Sequence, residues 1–336
     1  MHINDKNNNQ FFPNVRLRRL RQNQTIRDMV SEPMPGPEKF MWPVFVVEGR
    51  GIKIPIKSMP GQFRYSVDVL IEDMTEVYDM GVRSVMVFGV IDEEFKDFTA
   101  SYAMREEGVV QQAVRALKAN FPDLLVATDV CVCEYTSHGH CGILTDYGCV
   151  DNDKSLNLLS KMAVSHAAAG ADCVAPSAMM DGQILAIRNA LTENKFNDTI
   201  LMAYSTKFAS GCYGPFREAA DSTPSSGDRK AYQADYRDAN SALRESYFDE
   251  VEGADILMVK PAMFYLDLIS KVKENSQLPV AAYNVSGEYS MLIATAQNGW
   301  GDLKQLVRES TFALKRSGTD IFISYWANQY STMFRD

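Results

Sequence analysis

The chain has 336 residues, 46% apolar and 23% charged, with a net charge of −9. That much apolar material can bury a core, which excludes a disordered or fibrous chain, and the acidic balance gives no electrostatic support to a nucleic-acid or anionic-membrane partner. No apolar run approaches the roughly 18 residues of a membrane span, and MHINDKNNNQFF lacks a charged-then-apolar leader pattern, so the expectation is a cytoplasmic protein whose six cysteines are reduced rather than a disulfide framework.

Residues 1–40 come before any strand pattern and read as an extended arm, ahead of one domain spanning 41–336. The arm carries RLRRLRQN, which in an acidic chain reads as a solvated face or a subunit contact rather than a nucleic-acid site. Short apolar runs rich in β-branched residues then follow one another: MWPVFVVE (41–48), VRSVMVFGV (82–90), LLVATDVCV (124–132), ADCVAPS (171–177), TILMAYS (199–205), ADILMVK (254–260), LPVAAYN (278–284) and DIFISYW (320–326). Near-continuous hydrophobicity of this kind suits strands covered on both faces by helices. Segments with helical spacing lie between them, such as SVDVLIEDMTEVYDMG and KSLNLLSKMAVSHAAAG, and several end in Gly just before the next strand. Eight strands alternating with helices predict an α/β fold, a (β/α)8 TIM barrel, with a doubly wound sheet as the alternative. The connection after the fifth strand, 209–235, is rich in Gly, Ser and Pro and far longer than ordinary barrel loops, as expected of a lid or binding loop.

In such a barrel, chemistry sits at the C-terminal strand ends. Polar residues collect there: the third strand ends in Asp129, Cys131 and Cys133, the fourth in Ser177, the fifth in Tyr204 followed by Lys207 and the sixth in Lys260, while the seventh runs into Ser286 and the eighth closes on Tyr325. A lysine on a buried strand either snorkels out or is desolvated, which lowers its pKa. If Lys207 and Lys260 share one mouth, each cation disfavours the other, and a neutral amine becomes available for Schiff-base formation. The alternative for either lysine alone is an ion pair with a rim carboxylate.

DVCVCEYTSHGHCG (129–142) crowds three cysteines and two histidines. Residues two apart on a strand share a face, so Asp129, Cys131 and Cys133 should line one side, with Cys141 returning through the glycine-containing loop. Three thiolates suit a catalytic zinc (Zn2+) that keeps a position for water or substrate, whereas His138 or His140 as a fourth ligand would make the site structural. Cys149, Cys173 and Cys212 read as incidental thiols. The long loop adds Arg217, Arg229, Lys230 and Gln233, and arginine forks bind carboxylates bidentately. Ser286 and Tyr325 could hold a second carboxylate.

DVCVCEYTSHGHCG, VAPSAMMDGQ, YSTKFAS, DRKAYQ, LMVKPAMFYLD, YNVSGEY and ISYWA together resemble the porphobilinogen synthase (5-aminolaevulinate dehydratase) family of the cysteine-rich, zinc-dependent type, over nearly the whole chain. The resemblance implies a lyase that condenses two molecules of 5-aminolaevulinate to porphobilinogen with loss of two waters, early in tetrapyrrole and haem synthesis. It implies a Schiff base at Lys260 with the first substrate, held by Ser286 and Tyr325, and a second substrate handled by Lys207 with Arg217, Arg229 and Gln233 on its carboxylate. Zinc would sit on Cys131, Cys133 and Cys141, with Asp129 and Ser177 lining the pocket. It also implies an allosteric magnesium (Mg2+) at Glu245 of LRES and a homo-octamer assembled through the arm. The chain departs from the frequent PSDMMDGR pattern at Ala178 and Gln183. The rival readings are a class I aldolase, which needs no thiolate site, and an idle barrel that senses or stores zinc.

Overall fold

The structure, a computed structural model, describes residues 15–335. The chain divides into two compact units between Pro35 and Gly36. In the described part of the first, a 3-10 turn, Leu17–Arg21, precedes helix α1, Gln24–Val30. The Asn23 side chain caps α1 by accepting from the Ile26 N–H at 2.9 Å.

The second unit holds strands β1 (Phe40–Val47), β2 (Lys53–Pro55), β3 (Phe63–Ser66), β4 (Ser84–Val90), β5 (Leu125–Val130), β6 (Cys173–Pro176), β7 (Ile200–Lys207), β8 (Ile256–Lys260), β9 (Val280–Asn284) and β10 (Ile321–Ser324). β1 and β4 to β10 pair in sequence, all parallel, and β10 returns to β1 through Phe40 opposite Phe322 and Met41 opposite Ile323, so the sheet closes into an eight-stranded barrel. The helices between them are α2 (Val67–Asp79), α3 (Val109–Asn120), α4 (Asn152–Ala168), α5 (Gln183–Glu193), α6 (Gly214–Ala220), α7 (Ala239–Val251), α8 (Leu266–Asn275), α9 (Ser286–Gln297) and α10 (Leu303–Arg316), with α11 (Tyr330–Phe334) closing the chain. This is the expected (β/α)8 architecture. The doubly wound alternative is excluded by the closure. Asp151, Asp238 and Asp302 cap α4, α7 and α10, while Gly170 follows α4 at φ +102°, a conformation that only a residue without Cβ adopts at little cost.

The barrel differs from its sequence reading in three places. β2 and β3 form an antiparallel hairpin at the end of β1 that no apolar run announces, since β2 is wholly exposed. β5 ends at Val130, so Cys131 and Cys133 lie on the turn beyond it and not on a strand face. The long connection after β7 is not all loop: it begins with a 3-10 turn, Gly211–Tyr213, and α6.

Inside the barrel, aromatic side chains form the floor of the mouth. Phe45 lies 5.6 Å from Phe88 and 6.3 Å from Tyr325, and Tyr283 lies 6.4 Å from Tyr204 and 6.2 Å from Tyr325, ring centre to ring centre. Buried rings of this size supply much of the core's apolar surface and hold the strand ends rigid.

Candidate active site

Lys207 and Lys260 end adjacent strands as direct partners in the β7–β8 register. β7 reaches this register through an irregularity: Ala203 pairs with Leu257 but Thr206 with Val259, so β7 carries one residue more than β8 between the two pairs. The extra residue reverses the side-chain alternation. Tyr204 faces the mouth, Thr206 points outward, where its Oγ1 bonds Ser246 Oγ at 2.7 Å on α7, and Lys207 faces the mouth again. Both ammonium groups approach the Tyr204 ring, Lys260 at 4.8 Å and Lys207 at 5.6 Å from its centre.

Lys260 is buried in an aromatic cage, with Tyr283 at 4.3 Å, Phe216 at 5.0 Å and Tyr213 at 5.6 Å from Nζ. Burial lowers its pKa to about 7, and the Lys207 cation pushes the same way against the opposing pull of Asp129 and Glu134. Ring faces attract a cation, so the cage offsets part of that desolvation while keeping water out. Lys207 donates to the Ser177 backbone carbonyl. Asp129 is buried between these groups; burial raises its pKa although the Lys260 and Lys207 charges oppose the rise.

The three cysteines converge past β5. Cys131 Sγ lies 3.3 Å from Cys133 Sγ, and the sulfurs of Cys131, Cys133 and Cys141 all fall within 4.8 Å of one another, buried and free of disulfides. Thiol hydrogen bonds from Cys131 and Cys133, then the charges of Arg229 and Lys207, hold Cys141 well below the usual thiol range, while burial pushes Cys131 up. Three soft sulfur donors at this spacing could hold a thiophilic divalent metal. His138 and His140 do not complete that set: His140 bonds the Ser226 carbonyl at 2.9 Å and Tyr232 Oη at 3.2 Å, and His138 Nδ1 accepts from the His140 N–H at 3.1 Å. Cys149 is exposed, Cys173 buried and Cys212 half-buried, all apart from the trio.

The segment after β7 closes over this mouth. α6 presents Phe216 to the barrel floor, 5.3 Å from Phe88 and 5.7 Å from Phe45. Arg64 holds the end of α6 through the Ala219 carbonyl at 2.8 Å, and Lys96 pairs with Asp221 at 2.9 Å. Further along, Ser225 N–H donates to the His138 carbonyl at 3.1 Å, and a side chain at Gly139 would meet the Thr223 carbonyl at 2.6 Å, so the loop can seat on the cysteine segment only where that residue has no Cβ.

Among the residues expected to grip carboxylates, Arg217 stands on α6 with its Nε unpartnered, and Gln233 is buried with its Nε2 unpartnered. Arg229 is buried against the sulfurs, Nη2 donating to the Gly139 carbonyl at 2.9 Å and to the Ser222 carbonyl at 2.6 Å. Ser286 opens α9, accepting from the Phe216 N–H at 2.9 Å and donating to the Cys212 carbonyl at 3.3 Å, and Tyr325 Oη meets Tyr283 Oη at 3.2 Å. Glu245 stands apart from all of these, on α7, in a cleft lined by Asp181, Arg244, Asp249 and Glu252.

Two carboxylates at the mouth were not singled out from the sequence. Glu288, on α9, accepts from the Ala262 and Met263 N–H groups at 3.1 and 2.7 Å and so clamps the turn that follows Lys260. Glu134 lies buried beside Cys133, and burial, then Asp129 and Cys141, raise it to about 8. The signal for both was a carboxylate inside an otherwise apolar or glycine-bearing motif, CEY and SGEY.

Residues 14–333 match the family model described as delta-aminolevulinic acid dehydratase. The chain belongs to the delta-aminolevulinic acid dehydratase family. It is an enzyme, a lyase of the porphobilinogen synthase type. It is 50% identical over 319 residues to the delta-aminolevulinic acid dehydratase of Synechococcus elongatus, covering 94% of this chain and 97% of the relative. The Staphylococcus epidermidis enzyme of the same name is 49% identical over 313 residues, 93% and 96% of the two chains. The crystal structure of delta-aminolevulinic acid dehydratase from Toxoplasma gondii ME49, in complex with the reaction product porphobilinogen, superposes with a TM-score of 0.92 at 41% identity over 95% of this chain and 91% of that one. Among the described residues, no helix is long and apolar enough to cross a membrane.

Proposed function

We propose that this chain condenses two molecules of 5-aminolaevulinate to porphobilinogen through Schiff bases on Lys260 and Lys207, with a thiolate-bound zinc ion beside them. The observation that carries this reading is the pairing of the two lysines in register, inside a dry aromatic mouth next to three buried sulfurs. With its pKa near 7, Lys260 is partly neutral in ordinary buffer, so its lone pair can form the C–N bond to a ketone. The carbonyl oxygen leaves as water with the two amine protons, and Asp129, buried within the field of both lysines, holds or returns a proton at Nζ. Lys207 takes the second substrate in the same way, and the Ser177 carbonyl that accepts from it fixes its direction.

Cys131, Cys133 and Cys141 would hold the metal, and a bound zinc ion supplies Lewis-acid activation of a carbonyl or of water. On the carboxylates, Arg217 with its unpartnered Nε and Gln233 with its unpartnered amide are the free grips, and Arg229 adds charge from beside the sulfurs. Ser286 and Tyr325 hold the first substrate on the other side, Ser286 exchanging a bond to the α6 backbone for one to substrate. Holding both substrates turns a bimolecular encounter into an intramolecular one, which alone lowers a barrier by roughly 7–11 kcal/mol in well-oriented cases.

Outside the mouth, the acidic cleft of Asp181, Glu245, Asp249 and Glu252 supports an allosteric magnesium at Glu245. The exposed Leu17, Leu20, Met29 and Val30 of the arm support a homo-octamer assembled through residues 1–40, and free cysteines suit a cytoplasmic setting. The test is to trap the protein with borohydride in the presence of 5-aminolaevulinate and map the adduct. Label at Lys260 is expected, and active, metal-loaded protein unlabelled there overturns the imine. Porphobilinogen formation should disappear on chelation and return with zinc.

A further inference from the structure

We propose that Thr206 and Ser246 are positioning residues for the reaction: the bond between their buried hydroxyls locks β7 in the slipped register that turns Lys207 into the mouth. The inference rests on the two-lysine reading of the site and adds to it a device on the outer side of the barrel wall.

A strand holding one residue more than its neighbour has two ways to lie against it, and they differ in which side chains face inward. In the register without the slip, Thr206 would face the mouth and Lys207 would point at α7. Beyond the irregular stretch the backbone is tied down, with Phe208 N–H donating to the Lys260 carbonyl and Ala234 N–H to the Lys207 carbonyl, both at 3.0 Å. Amides and carbonyls are the same for every residue, so these bonds fix the strand end without choosing which side chain turns inward.

That choice falls to the side chain presented to α7. Ala242 and Ser246, one turn apart, are buried on that helix and offer little bulk and two polar atoms. Thr206, itself fully buried, uses both. Its Oγ1 donates to the Ala242 carbonyl at 3.2 Å and, with its one proton spent there, accepts from Ser246 Oγ at 2.7 Å. Slipped back by one, Thr206 leaves these groups and Ser246 keeps a buried hydroxyl without that partner, a cost the observed register avoids. Threonine is also stiff at χ1, so two bonds at Oγ1 hold the backbone at 206 close to one orientation. Lys207 is the next residue, and from that backbone its ammonium reaches the Ser177 carbonyl and the face of Tyr204.

The test uses full-length, metal-loaded protein. Thr206→Val keeps the shape and removes the hydroxyl, Thr206→Ser keeps the hydroxyl, and Ser246→Ala removes the partner; if Thr206→Val does not fold, Ser246→Ala carries the same test from the helix side. Thr206→Val and Ser246→Ala should each lose on the order of 10- to 100-fold in kcat, the scale of displacing a reacting group by about 1 Å. Thr206→Ser should retain most of the wild-type rate, and the double variant should be no worse than the poorer single one, since the same bond is lost in each. Lys260 is surrounded by the charges of Lys207, Asp129, Glu134 and Cys133, so withdrawal of the Lys207 cation should also move the pH midpoint of borohydride trapping at Lys260 upward. A pair that only stabilises the fold would lower the urea midpoint and leave kcat and the trapping midpoint where they are; that result overturns the proposal, as does a double variant in which the two losses multiply. Active wild type with no label at Lys260 removes the two-lysine reading itself, and this proposal with it.

Discussion

Lys207 opposes Lys260 across the β7–β8 ladder only because β7 holds one extra residue between Ala203 and Thr206. Without it, Thr206 would stand opposite Lys260, and the alternation of a strand would send Lys207 toward α7. Two lysines seven residues past one strand start and four past the next could not be matched by counting along ILMAYSTK and ILMVK.

Lys207→Met removes the second amine and leaves the β7 irregularity in place. The barrel should still fold, because both strands keep their apolar core positions, and Lys260 should still be trapped by borohydride. Porphobilinogen formation should fall on the order of a thousandfold, the scale of losing a group that acts in concert with its partner. Activity within tenfold of wild type would show that Lys207 has no part in the reaction.

The trapping rate at Lys260 should rise with pH through a midpoint near 7, where burial and the Lys207 cation leave the amine half neutral. Lys207→Met removes the repelling charge, which favours the protonated form of Lys260 and moves the midpoint upward. The measurement is the initial rate of borohydride-trapped adduct between about pH 5.5 and 8.5, one and a half units either side of that midpoint. A midpoint that stays put or moves down in the variant contradicts the coupling.

His166, on α4, is fully buried with Nδ1 3.0 Å from Thr128 Oγ1, and burial lowers its pKa from 6.5 to about 3. The unfolded chain takes up a proton near 6.5 while the native protein refuses it, so stability is whole above that pH and drains as pH falls from 6.5 toward 3. Between pH 7 and 5 this one group should cost about 2 kcal/mol, at about 1.4 kcal/mol per unit. Urea titrations at the two pH values should therefore show a drop in wild type that His166→Gln reduces by about that amount; equal drops in both proteins would refute it.

Glu288 bonds four donors: the N–H groups of Ala262 and Met263 at one oxygen, and the Val285 N–H and the Asn284 amide at the other, at 2.7–3.2 Å. Glu288→Ala orphans these buried groups and should destabilise the protein on the order of 3 kcal/mol, read from urea unfolding. A loss below about 1 kcal/mol would mean the turn after Lys260 holds itself.

Each of the eight barrel strands was legible because strands covered on both faces are nearly continuous apolar runs, and so were the polar residues that interrupt their ends. The β2–β3 hairpin was not, since KIP is exposed and FRYS only half apolar, and neither was α6, whose GPFREAA is too short to show a helical period. The convergence of Cys131, Cys133 and Cys141 was anticipated, but on the wrong geometry: a turn and not a strand face gathers the sulfurs, and the same turn brings in Glu134. Local spacing can suggest which side chains meet; it does not reveal where a strand stops or slips by one.

Phe216 stacks over the Lys260 nitrogen and the floor of the barrel at once, on a helix moored by Arg64 and Lys96. Loss of either mooring would therefore reach the cover of the Lys260 amine from outside the mouth.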